Sequence, residues 1–64
     1  MAISIKAARV NAGLTQTEVG AAVGKTKNTI SSYEAYETVP DITTAQAMAA
    51  LFGMSVDDIT WSQD

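Results

Sequence analysis

Sixty-four residues, 47 % of them hydrophobic and only one of them proline, place the chain near the lower size limit for a self-sufficient core and mark it as globular rather than disordered. Cysteine and histidine are both absent, which excludes disulfide staples, thiolate chemistry and the commonest zinc ligands. The net charge of −3 is unevenly laid: Lys6, Arg9, Lys25 and Lys27 against Glu18 leave the first 27 residues at +3, while residues 28–64 hold six acids and no base.

Hydrophobic spacing and capping signals predict five helices and no strand of useful length. Residues 3–12 carry Ile5, Ala8 and Ala12 at helical spacing and stop at Gly13. This amino-terminal stretch has no long apolar run, so it supports neither a signal peptide nor a membrane span, and the expected location is cytoplasmic. Thr15-Gln16-Thr17-Glu18 is a capping box, in which the Thr15 hydroxyl accepts from the backbone three residues on and Glu18 reaches back. It opens a second helix that runs to Val23 and closes at Gly24. Thr26 caps a third, over residues 27–33.

Pro40 then forbids helix and biases Val39 toward extended geometry, so residues 35–42 form a connector. Thr43 is expected to cap a fourth helix reaching Phe52, with Ala45, Met48, Ala49 and Phe52 on its apolar face as core fillers. Gly53 ends it. Ser55, with Asp58 three residues on, signals a short fifth helix reaching Ile59 or Trp61. With no repeat and no composition break, residues 1–64 read as one domain.

The second and third helices carry the most informative pattern. Gly20 stands four residues before Gly24, and Ile30 follows six residues later. Two short helices crossing steeply need a residue without a bulky side chain where they come closest. They need a residue tolerant of positive φ to end the first helix, and an apolar residue on the second to plug the junction.

Over residues 5–59, without a gap, the chain resembles the Cro/phage-repressor (XRE-type) helix-turn-helix family. The resemblance rests on Leu14-Thr15-Gln16, Glu18-Val19, Val23-Gly24, Thr29-Ile30-Ser31, Tyr33-Glu34, Pro40 and Leu51-Phe52-Gly53-Met54-Ser55 with Val56 and Asp57. Single matches are weak, but the set in register is specific. It implies an all-α, compact five-helix domain of the lambda-repressor-like type, with the helix-turn-helix unit at about residues 15–34 and its second helix in the DNA major groove. Residue by residue, it implies that Gln16 touches phosphate and braces the recognition helix. Thr26, Lys27 and Asn28 would lie over base edges, with Ser32 one turn further on the same face. Thr29 and Ser31 would face phosphate or pack beside it, and Arg9 with Glu34 would form a partly buried ion pair.

Two positions depart from the family pattern. Lys25 stands where an apolar residue usually follows the turn glycine, so its stem is expected to cover the junction while its ammonium reaches water or phosphate. Ala35-Tyr36 replaces the usual polar-glycine pair after the glutamate.

The chemistry fits the implied surface. Lys27 can donate to guanine O6 and N7, Asn28 can pair with adenine N6 and N7, and Thr26 can meet a thymine methyl. About three bases on phosphate give a salt slope of about −3 per subunit, too little for tight binding by one copy. That implies a homodimer on a palindromic operator, with half-sites about 34 Å apart or a multiple of that. Asp57 and Asp58 are neighbours whose directions on a helix diverge, so they complement its dipole rather than converge on a metal. No catalytic constellation, cofactor or metal is expected.

Trp61 either packs over the core or, near Met54 and Ile59, anchors a dimer. Tyr36 either covers the loop or makes an exposed contact. The leading function is a phage- or mobile-element-type transcriptional regulator acting on double-stranded DNA. The alternative is a modulator or antirepressor that uses the same fold, and its acidic second half, to mask another phage repressor.

Overall fold

Each helix in the chain starts on a side-chain oxygen. In the computed structural model, which describes residues 1–63, Ser4, Thr15, Thr26 and Asp41 cap α1 (Ile5–Asn11), α2 (Gln16–Val23), α3 (Lys27–Glu34) and α4 (Ile42–Leu51). The four oxygens accept from the backbone N–H groups of Ala7, Glu18, Thr29 and Thr44 at 3.0, 3.1, 3.2 and 2.8 Å. Each bond satisfies one donor that the first turn of a helix leaves unpaired. At Thr15 the box is complete, because Glu18 Oε1 also accepts from the Thr15 N–H at 2.8 Å.

Three sequence expectations are corrected. The first helix begins at Ile5 rather than Ile3, because Ser4 takes the cap position with extended φ and ψ. Ile3–Ser4 is thereby left extended as β1, and it pairs in parallel with β2 (Ile59–Thr60), Ile3 opposite Ile59. Two residues are too few for an alternating pattern to register in a sequence. The fourth helix begins at Ile42 on Asp41 rather than on Thr43; a carboxylate two residues earlier takes the cap.

The expected fifth helix is a single 3-10 turn, Val56–Asp58. Ser55 Oγ accepts from the Asp57 N–H at 3.2 Å and Asp58 Oδ2 accepts from the Ser55 N–H at 3.3 Å, so the cap forms, but Ile59 then turns extended to meet Ile3. Among the described residues the architecture is therefore four α-helices, one 3-10 turn and a small parallel pairing of β1 with β2.

One side chain from each helix reaches the centre. Ile5, Val19, Ile30 and Met48 are the largest fully buried residues, and burial of each contributes roughly 1.5–3 kcal/mol. Ala8, Tyr33, Ala49, Phe52 and Ile59 complete the cluster. Among the described residues no helix is long and apolar enough to cross a membrane.

Candidate nucleic-acid interface

The angle between α2 and α3 is set by what is missing from Gly20. A Cβ built there would stand 2.8 Å from the Lys25 carbonyl oxygen and 3.1 Å from the Thr26 carbonyl carbon, so only glycine lets the two backbones come this close. The same approach lets the Lys25 N–H donate to the Gly20 carbonyl at 2.8 Å. Gly24 makes the bend with φ +74°, a left-handed conformation that costs glycine nothing. Beneath the bend, Ile30 is 0 % exposed and plugs the junction. Lys25 is exposed, and its backbone carbonyl is the atom that comes closest to Gly20 at the junction.

Beyond the bend, α3 turns Ile30 and Tyr33 into the core, so its opposite face looks outward. Thr26, Lys27, Asn28 and Ser31 are exposed; Thr29 and Ser32 are half-buried. The Thr26 hydroxyl caps the helix and lies 3.1 Å from the Thr29 hydroxyl, so both are tied into the helix end. That stiffens the tip from which Lys27 and Asn28 project.

The other flank is held by a network that spacing alone does not reveal. Glu34 Oε2 accepts from Arg9 Nε at 2.6 Å, and Glu34 Oε1 accepts from Arg9 Nη2 at 3.3 Å and from Gln16 Nε2 at 3.0 Å. Arg9 Nη1 donates to the Leu14 carbonyl at 2.8 Å. The Arg9 and Glu34 side chains are 13 % and 7 % exposed. Such a pair fixes geometry more than it adds stability, because desolvation offsets much of the attraction. The Gln16 bond to Glu34 at the end of α3 is a brace of the kind the family resemblance implies, whereas the Leu14 link has no counterpart among the sequence expectations. A residue pair can be aligned in sequence, but a third donor on the same carboxylate is visible only once the helices are packed.

The residues weighed as partner contacts are turned toward the chain itself. Ile59 is 4 % exposed and belongs to the core, which removes it from any surface contact. Trp61 is half-buried against the core and its Nε1–H donates to the Val56 carbonyl at 2.9 Å. Met54 packs beside the same cluster. Tyr36 is half-buried, adopts φ 60°, and donates its hydroxyl to the Thr60 carbonyl at 3.3 Å.

Charge follows the sequence asymmetry. Lys25 and Lys27 flank the α2–α3 bend, whereas the exposed acids Asp57 and Asp58 lie at the 3-10 turn. Asp41 caps α4. Hydrogen bonds from Thr44, side chain and backbone, hold its carboxyl below the usual carboxylate value, and the Lys25 ammonium adds to them. Among the described residues there is no pocket and no group of three or more histidine, cysteine, aspartate or glutamate residues that could hold a metal. What this arrangement offers a partner is a surface.

A helix-turn-helix family profile matches residues 5–59. An uncharacterized HTH-type transcriptional regulator of Bacillus subtilis (strain 168), YgzD, is 28 % identical over 60 residues, covering 94 % of this chain and 91 % of that protein. No solved structure matches. The matched span opens at the first core residue of α1 and closes at the core residue of β2, with the glycine-set bend between them, so the chain belongs to the XRE-type helix-turn-helix family.

Proposed function

We propose that the chain is a sequence-specific DNA-binding transcriptional regulator that lays α3 in the major groove. The observation that carries this reading is the capped tip of α3, offered outward by an unstrained bend with Lys27 and Asn28 exposed on it. Lys27 donates to guanine and Asn28 pairs with adenine. With its hydroxyl committed to the cap, Thr26 offers its methyl to thymine, Ser32 extends the same face, and Ser31 faces phosphate beside it. Gln16, Lys25 and Thr29 serve the phosphate backbone at the flanks. Arg9 is committed to Glu34 and Lys27 to guanine, so Lys6 and Lys25 are the bases left for phosphate, with a salt slope of about −2 per copy. Affinity of that order calls for two copies on a palindromic operator, half-sites about 34 Å apart or a multiple of that.

Selection from a random duplex library at low salt, then titration with salt, tests the reading. A palindrome is enriched; Asn28→Ala relaxes preference at one position, by about 1–3 kcal/mol of discrimination. Lys25→Ala weakens all sequences alike and lowers the slope by about 1. A second reading is favoured by the exposed acids Glu37, Asp41, Asp57 and Asp58: a modulator whose acidic side covers the basic surface of another regulator. Failure to enrich any duplex, together with a stoichiometric complex with the other regulator of its locus, would decide for that second reading.

A further inference from the structure

We propose that Glu34 is a positioning residue for DNA binding: its carboxylate, neutralised by Arg9, holds the Gln16 side-chain amide in place at the mouth of α2. The proposal rests on the DNA-binding reading above and adds to it a residue that touches no DNA. Glu34 ends α3, Arg9 sits on α1 and Gln16 is the first residue of α2, so one carboxylate ties three helices together. Its oxygens accept three N–H bonds, from Arg9 Nε and Nη2 and from Gln16 Nε2, at 2.6, 3.3 and 3.0 Å. Arg9 also holds the Leu14 carbonyl at 2.8 Å, just ahead of the Thr15 cap. The first turn of α2 is thus clamped through its backbone and through its side chain.

Each part of this arrangement has a use at a polyanion. A bare carboxylate beside phosphate would repel it, but paired with a guanidinium the unit is neutral. A glutamine amide has two N–H groups: one is engaged by Glu34, and the planar amide then fixes the direction of the other. Gln16 is half-buried yet still reaches the surface, at a helix start where backbone N–H groups favour negative charge. Glutamine ordinarily has much rotamer freedom to lose. A side chain ordered before docking avoids that loss, which corresponds to about two- to tenfold in Kd for each bound copy.

The test replaces both charges together, Arg9→Met with Glu34→Leu, which fills the space with apolar atoms and leaves no orphaned charge. Gln16 then has no acceptor. Circular dichroism establishes that the variant is folded, and Kd for the selected duplex is measured for parent, pair variant, Gln16→Ala and the triple variant. The expected result is a two- to tenfold loss per bound copy in the pair variant that vanishes when Gln16→Ala is already present. Side-chain amide relaxation by nuclear magnetic resonance supplies a second readout: Gln16 ordered in the parent, with exposed Gln46 as the mobile control. A Gln16 amide as mobile as that of Gln46, or a loss that persists undiminished without Gln16, overturns the positioning role alone. A parent chain that enriches no duplex overturns the DNA-binding reading itself, and the positioning role with it.

Discussion

Two turns flank the outward helix, and they solve one geometric problem with opposite side chains. After α2 the left-handed residue is Gly24, at φ +74°, with no atom beyond its chain neighbours within 4 Å of where a Cβ would stand. After α3 it is Tyr36, at φ 60°, and each turn is sealed by the same type of backbone bond: Lys25 N–H to the Gly20 carbonyl and Glu37 N–H to the Ser32 carbonyl, at 2.8 and 3.0 Å. A Cβ in that conformation costs about 1–2 kcal/mol. Tyr36 offsets the strain by laying its ring on the core and donating to the Thr60 carbonyl, which ties the end of α3 to β2. The bend that aims α3 is thus free of strain, and the strain sits at the far end, where a side chain can act as a strut.

The largest expected effect comes from Gly20→Ala, because the added methyl meets backbone rather than a side chain that could swing away. Overpacking of this kind destabilises by about 2–3 kcal/mol. The sign is informative, since alanine in an ordinary helix interior stabilises by about 1 kcal/mol relative to glycine. Urea denaturation measures it. A variant as stable as the parent would mean that close approach does not fix the α2–α3 angle.

Exchanging the two turn chemistries sharpens the contrast. Gly24→Ala adds strain with nothing to offset it and should destabilise by about 1–2 kcal/mol. Tyr36→Gly relieves strain but removes the ring and its hydrogen bond, so stability should stay within about 1 kcal/mol of the parent. Both follow from midpoints of the same denaturation series. If Tyr36→Gly proved more stable by well over 1 kcal/mol, the ring would be no strut.

The contrast also explains which parts of the fold were legible in the sequence. Thr15 with Glu18, Thr26, Gly24 and the apolar spacing around Ile30 act over four or five residues, so the second and third helices and the bend between them can be read directly. Asp41 displaced Thr43 as a cap because both residues offer a suitable oxygen, and only packing selects between them. Ile3–Ser4 and Ile59–Thr60 pair across nearly the whole chain, and no local pattern encodes that. At the candidate surface, Lys27 and Asn28 were legible as an exposed helix start. The acceptor of the Gln16 brace, Glu34, and the core burial of Ile59 were not, since both depend on elements distant in sequence meeting.

The smallest effect joins the two turns electrostatically. Lys25 follows the first turn, Asp41 caps α4 after the second, and the Asp41 carboxyl is held below its usual value by Thr44 first and by Lys25 last. A carboxylate depressed in the folded state stabilises it above the unfolded pKa of about 3.9, and that contribution is lost as pH falls through the lower folded value. Asp41→Asn keeps a capping oxygen without the charge. It should melt a few °C at most below the parent at pH 7, with the gap closing as pH falls through the lowered folded value. Because the Thr44 hydrogen bonds dominate, Lys25→Ala and about 1 M salt should each leave most of that gap in place. If either abolished it, charge reaching from one turn to the other, rather than the cap itself, would be what holds Asp41 ionised.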